Sequence, residues 1–316
     1  MSLRLSETLR RAWTTNPVLV VMIVFSSVCF LISATGLTFT TRLINGEHAW
    51  IKPLKFSISL TMYGLTLFWF ARFLKSHEIF FRRVCVTALV GTVAELFLII
   101  MQVARGTTSH FNTATPFDHT VFWLTAIAIL PVAFGAVALF VMLLREKDLP
   151  PVLGVALRLG VILTVVGFIP GILMLLPDVA QDLITHSKQF DGHTVGFSEG
   201  GPGLPYIGWS TVAGDLRVAH FVGIHALQIL PLAVYAVMKG LGRFSLIRQE
   251  MFVWNIGLTY LSWIILLTKQ ALSAEPVIAP SPHTIVYAIL VVAFSLTSAV
   301  LILFARRPKT RLFLDS

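Results

Sequence analysis

AELFLIIMQVARGTTSHFN, Ala94 to Asn112, is apolar from Leu96 to Met101, yet it carries Glu95 and closes on Gln102, Arg105, His110 and Asn112. An apolar run of this kind reads as the end of a membrane-crossing helix. A charged group inside such a helix costs about 2.5–3.5 kcal/mol, so it must face other helices rather than lipid. One carboxylate in this position therefore predicts a bundle, not a single anchor. Glu95 and Gln102, seven residues apart, share a helix face, and Arg105 lies one turn beyond. Glu95 is expected to find an interior partner, for which Tyr63 is a candidate.

The rest of the chain agrees. Of 316 residues, 56% are hydrophobic and 12% charged, with a mean hydropathy of +0.83. A soluble domain of this length would carry roughly twice that charge. Apolar runs long enough to cross a bilayer recur at 17–38, 53–74, 84–104, 118–143, 152–176, 216–238, 251–272 and 284–305. The expected fold is an all-α integral membrane protein of eight transmembrane helices. It is one polytopic domain, 1–316, with possible halves 1–147 and 148–316 and one long loop at 177–214. Arg4, Arg10 and Arg11 precede the first span as they would a signal peptide. That span is long enough to cross and shows no convincing small-residue cleavage site, so it is expected to stay. Cys29 and Cys85 both fall within spans and imply no disulfide framework.

Eight spans put both termini on one side. All but seven of the 24 basic residues fall on that side, the exceptions being Arg42, Lys52, Lys55, Arg105, Lys188, Arg217 and Lys269. Positive loops stay inside, so both termini are expected in the cytoplasm. The net charge of +9 is then topological and calls for no nucleic acid. The histidines are lopsided in the other direction. His48, His110, His119, His186, His193, His220, His225 and His283 all lie on or near the outer side, and His77 alone lies inside.

Polar groups collect toward that outer side. Lys52, Lys55, Ser59, Tyr63 and Thr66 form a stripe on the second span, spaced by three and four residues. GDLRVAHFVGIHALQ, Gly214 to Gln228, places Arg217, His220, His225 and Gln228 within an arc of about 140° on an unbroken helix. Lys269 stands out near the end of the seventh span. The 177–214 loop is dense in glycine and proline around Gly200 to Pro205, as a turn-rich lid would be. Its GGPG run lacks the strand, helix and GK[ST] of a phosphate loop.

The halves also compare. His48, His119, His220 and His283 each sit near the start of an even-numbered span. Gln102…Gly106 and Gln270…Ser273 end the third and seventh spans in parallel fashion. In this layout the chain resembles haem A synthase, and it is also similar to uncharacterised bacterial polytopic membrane proteins with an RGTTSHFN-like segment. The first resemblance implies two four-helix halves in a bacterial cytoplasmic membrane, with an extracytoplasmic site and an oxidoreductase activity. It implies haem b on His220 and His283, and a second haem or substrate site flanked by His48 and His119. Lys52, Lys55, Arg105 and Arg217 would anchor propionates or substrate. Glu95, His110 and Asp118 would carry the acid–base chemistry, beside a polar chamber of Gln102, His225, Gln228 and Lys269. The family's Glu and Arg near the first histidine are replaced here by Glu47 and Ala49, and its outer cysteine pair is absent.

Two other chemistries fit the same residues. A non-haem metal could be held by His110, Asp118, His119, His220 and His225 with Glu95 or Asp215. The surplus of outer cations could instead bind an anionic lipid or metabolite, in a transporter or binding protein. The bilayer is a partner in every case, and the small molecule is lipid-soluble or anionic.

Overall fold

The computed structural model describes residues 10, 12–176, 190–198 and 200–304. Ten helices account for most of them: α1 (Pro17–Phe39), α2 (Ile51–Phe70), α3 (Glu78–Arg105), α4 (Pro116–Ala128), α5 (Leu130–Arg145), α6 (Pro151–Leu175), α7 (Leu216–Ile224), α8 (Ala226–Leu241), α9 (Leu246–Leu272) and α10 (Pro282–Phe304). The strands are two residues each. β1 (Leu43–Ile44) pairs antiparallel with β2 (Glu47–His48), and β4 (Thr194–Val195) lies between β3 (Phe190–Asp191) and β5 (Gly214–Asp215).

The helices begin and end where local chemistry permits. The Asn16 side chain accepts from Leu19 N, the Thr115 hydroxyl from Asp118 N and the Asp215 carboxylate from Arg217 N, each filling a donor that a helix start leaves open. α3 stops at Gly106, whose φ of +82° lets its N–H close on the Gln102 and Val103 carbonyls.

Among the described residues, seven segments are long and apolar enough to cross a membrane, and α7 with α8 makes an eighth if that bent pair is one span. The protein is therefore an all-α integral membrane protein. The fourth crossing joins α4 and α5 through a break at Ile129. Pro131 enforces it, having no N–H and clashing with the preceding turn. The sixth predicted span differs from the expected unbroken helix, because α7 and α8 meet at His225 with a 52° bend. Thr164 of α6 holds the break open. Its hydroxyl donates to Gly160 O at 2.9 Å, accepts from Leu227 N at 3.0 Å and lies 3.3 Å from Ile224 O, beside backbone groups that the ladder no longer pairs.

The main packing falls into two groups. α1 to α5 pack on one another, α6 to α10 on one another, and α5–α6 and α2–α8 join them. α6 is the seat of the second group. At Gly167 a Cβ would fall 2.5 Å from Gly223 Cα and 2.6 Å from Ile224 N, so α6 and α7 cross with backbones touching. α10 packs on α9 and is nearly bare elsewhere, with 6% of its apolar window buried.

Loops 40–50, 106–115, 190–215 and 273–281 gather at one end, called here the lidded end. Gly46 faces Gly200, Arg42 donates to Val103 O and Ala104 O, and Gly196 faces Ala274. Toward the opposite end the core is dry. Leu67, Phe70, Leu74, Leu139 and Leu143 are 0–1% exposed and pack with Leu157, Val161 and Leu227 of the second group.

Candidate functional site: a lidded chamber

α2 enters the bundle from the lidded end, and its predicted polar stripe runs inward from the lid loops toward the α7–α8 junction. Lys55 Nζ donates to Ile207 O at 2.6 Å and stands 4.0 Å from Glu47 Oε2. Deeper, Ser59 Oγ meets His225 Nε2 at 3.4 Å. Below that, the Tyr63 hydroxyl is buried with no hydrogen-bond partner. Thr66 turns back to Met62 O and leaves the stripe.

Arg217 faces Lys55 across the mouth. Its guanidinium donates to both oxygens of Asp215 at 2.7–3.2 Å and to Gly208 O, and Nη1 lies 3.7 Å from Glu47 Oε1. Ser210 N also donates to Asp215, at 2.9 Å. Two cations from different helices thus hold consecutive carbonyls of the Leu204–Gly208 turn, with Glu47 between them. The turn is the lid's underside. Burial raises the Asp215 carboxyl, but the Arg217 hydrogen bonds and charge hold it below the usual carboxylate range.

Behind this mouth lies His193, 7% exposed, its ring 6.0 Å from that of Phe111. Burial pushes its imidazole down to about 3, and Arg217 adds to the effect. His193 was not singled out by sequence reasoning as a site residue. The Asp191-Gly192 pair that starts its hairpin was the available signal. A histidine that is neutral when folded and ordinary, near 6.5, when released makes folding lose stability as pH falls from 6.5 toward 3. Acidification over that window should expose segment 190–215 to hydrogen exchange and proteolysis, and His193→Gln should flatten the response. An acid profile that His193→Gln leaves unchanged would remove His193 as its cause.

Glu95 is the deepest acid, 1% exposed. Its partner is not Tyr63 but His110, whose Nε2 lies 3.4 Å from Oε1. The 106–115 loop folds His110 back over the end of α3, where Phe56 flanks it and Ser109 Oγ meets Nδ1 at 3.0 Å. Burial lowers the His110 imidazole, Lys52 lowers it further, and Glu95 opposes both.

Asp118 holds that loop in place. Its Oδ1 accepts from Gln102 Nε2 at 2.9 Å and Arg105 Nη1 at 2.6 Å, and its Oδ2 accepts from Thr115 at 2.6 Å. Arg105 also donates to Gln102 and covers the Phe117 ring at 4.4 Å. Asp118, Gln102 and Arg105 therefore staple α3 to α4. Their hydrogen bonds serve the scaffold, which leaves Asp118 in a positioning role.

The remaining histidines are placed differently from one another. His48 uses both ring nitrogens on nearby backbone, Nε2 with Thr40 O at 2.7 Å and Nδ1 with Trp50 N at 3.3 Å. His119 is exposed, and its Nε2 accepts from Trp123 at 3.0 Å. His220 packs on Gly171 and bonds Gly167 O through Nδ1 at 2.8 Å. His283 is exposed on α10, whose main packing is with α9. Among the described residues no hydrogen bond, ion pair or ring contact joins His48 to His119 or His220 to His283. Of the four, His220 keeps the arrangement that a haem ligand uses, with Nδ1 anchored to a carbonyl. The other three differ from it: His48 has both ring nitrogens engaged with backbone, and His119 and His283 are exposed. Among the described residues, no three or more of His, Cys, Asp and Glu come together as a metal ion would need. Lys269 lies over the Tyr287 ring at 4.2 Å, at the α9–α10 contact. Gln228 Oε1 is buried without a partner. His186 and Lys188 lie outside the described residues.

Fold and site together define a polytopic helical membrane protein with a loop-covered polar cluster at one end. No protein-family model, curated protein or solved structure matches the chain.

Proposed function

We propose that the protein binds a small acid, carrying a carboxylate or phosphate, in a one-sided chamber of an eight-span bundle. One observation carries the reading. Lys55 and Arg217 converge beneath the lid on two neutral carbonyl oxygens and a loosely held Glu47 carboxylate, while Asp215 fixes the rest of the Arg217 guanidinium. Oxygens of an anionic ligand can replace that set at charge-assisted hydrogen-bond distance. The dry core beneath supports a binding or catalytic site over a conduit, since no polar group of the stripe continues past Thr66 into it. Arg72, Lys75, Arg82, Arg83, Arg145 and Lys147 cluster at the opposite end. By the positive-inside rule that end is cytoplasmic, together with both termini, and the chamber faces away from the cytoplasm in a bacterial cytoplasmic membrane.

The test is thermal stabilisation of purified protein by inorganic phosphate and acetate, against chloride at equal ionic strength. Binding to the folded state raises the melting temperature with ligand concentration. The expected result is stabilisation by one of these anions, weakened by Lys55→Gln and lost in Arg217→Ala. Nanodiscs of anionic against zwitterionic lipid separate a lipid headgroup from a free solute. Equal melting in all conditions would make the Lys55–Glu47–Arg217 network a structural clamp and overturn the reading. An absorption spectrum of the same haem-replete sample bears on the family resemblance, because a Soret band lost in His220→Ala would replace the anion with haem.

A further inference from the structure

We propose that Glu95 and His110 hold one exchangeable proton between them, as a proton-exchange site buried beside the chamber. The inference does not depend on the anion seat, because none of its atoms belongs to it.

The geometry is specific. Glu95 is 1% exposed, neither of its carboxyl oxygens has a hydrogen-bond partner, and His110 Nε2 stands 3.4 Å from Oε1 at ion-pair distance. A buried carboxyl without donors is costly unless it shares a proton or meets an unseen partner. His110 Nε2 at 3.4 Å is the available group. One turn below, Thr92 is fully buried and its hydroxyl is also without a partner. That is unusual in this bundle. Thr35, Thr61, Thr66, Thr164, Thr259 and Thr268 all donate back to the carbonyl four residues earlier. Thr92 makes no such bond, and at a three-residue spacing it shares a helix face with Glu95.

Lys52 of α2 bears on His110 as a like charge. Asp118 of α4 is committed to Arg105, Gln102 and Thr115. His193 lies beyond Phe111. In the exchange, the Glu95 Oε1–H bond breaks as an Nε2–H bond forms. The Nδ1–H stays in its contact with Ser109 Oγ at 3.0 Å, so the pair alternates between neutral acid with neutral imidazole and carboxylate with imidazolium. The reverse step restores the acid. Charge and protons balance, and no further reagent is required.

Infrared titration in D2O of the full chain in nanodiscs reads this directly. Wild-type protein should show a protonated-carboxyl C=O band that Glu95→Gln removes. His110→Gln should move the titration midpoint of that band by about one pH unit or more, the mark of two coupled sites. Thr92→Val should shift its frequency without removing it. Glu95→Gln preserves shape and hydrogen-bonding capacity, and His110→Gln decides the matter if the first variant fails to fold. A spectrum with no carboxyl band assignable to Glu95, or a Glu95 titration indifferent to His110→Gln, would overturn the proposal.

Discussion

Gly223→Val should abolish the folded protein. A Cβ at Gly223 would sit inside the backbone of Gly167, and the two helices have no flexible side chain there that could yield. Ordinary overpacking costs about 1–3 kcal/mol because side chains move aside. Here two backbones must separate, so the cost should be about 3 kcal/mol or more. The damage should extend beyond that contact. The α6–α7 crossing positions Thr164 at the helix break and Gly167 O against His220. Gly240→Val is the control, since that glycine has no atom within 4 Å of where a Cβ would lie. Size-exclusion profiles and melting in detergent should show Gly240→Val near wild type and Gly223→Val aggregated. A monodisperse Gly223→Val with an unchanged melting temperature would mean that α6 and α7 do not pack in this way.

Asp118→Ala should be the most damaging change among the polar residues. It removes a 4% exposed acceptor that holds Gln102, Arg105 and Thr115 together. Breaking a buried ion pair by deleting one partner costs about 3–5 kcal/mol. Arg105 is 39% exposed and recovers water, which lowers the expectation to about 2–3 kcal/mol. The more informative readout is local. Amide exchange across 106–115 should accelerate before the bundle melts, because the staple fixes the loop that lays His110 on Glu95. Asp118→Asn keeps one acceptor oxygen and should fall between the two. Slow exchange of that loop in Asp118→Ala would show that Asn112, which bonds Thr107 and Thr108, holds it unaided.

The parts legible in the sequence are those that the bilayer dictates. Apolar runs near 20 residues follow from membrane thickness, and a carboxylate within one must turn inward, as Glu95 does. The Lys52–Tyr63 stripe was legible because helical spacing alone places it on one face. Direction toward a partner was not legible. The sequence places eight histidines on or near one side, but that does not say where a ring points. His48 folds onto its own hairpin, His119 onto Trp123 one turn away, and His283 sits exposed on α10. The break at His225 was invisible for a related reason. Its cause is Thr164 and Gly167, some 60 residues earlier, which the local periodicity of α7 cannot report. Glu47 and His193 were missed as site residues because a short hairpin in a loop carries little pattern.

The weak attachment of α10 bears on how the protein is made. Every residue of the chamber, from Arg42 to His225, precedes the last helix in the chain. Nascent protein leaves the ribosome N-terminus first, so the lid, the Glu95–His110 pair and the α6–α7 crossing can assemble while α10 is still being synthesised. α10 then arrives as an outer stave. Its polar attachments to α9 include Asn255 to Ser295 O at 3.1 Å, the Ser298 hydroxyl to Asn255, Arg248 to Leu303 O at 3.4 Å and Lys269 over the Tyr287 ring. Biogenesis of the working part is thus separable from closure of the periphery, and the periphery is where this architecture can exchange lipid for another helix without disturbing its interior.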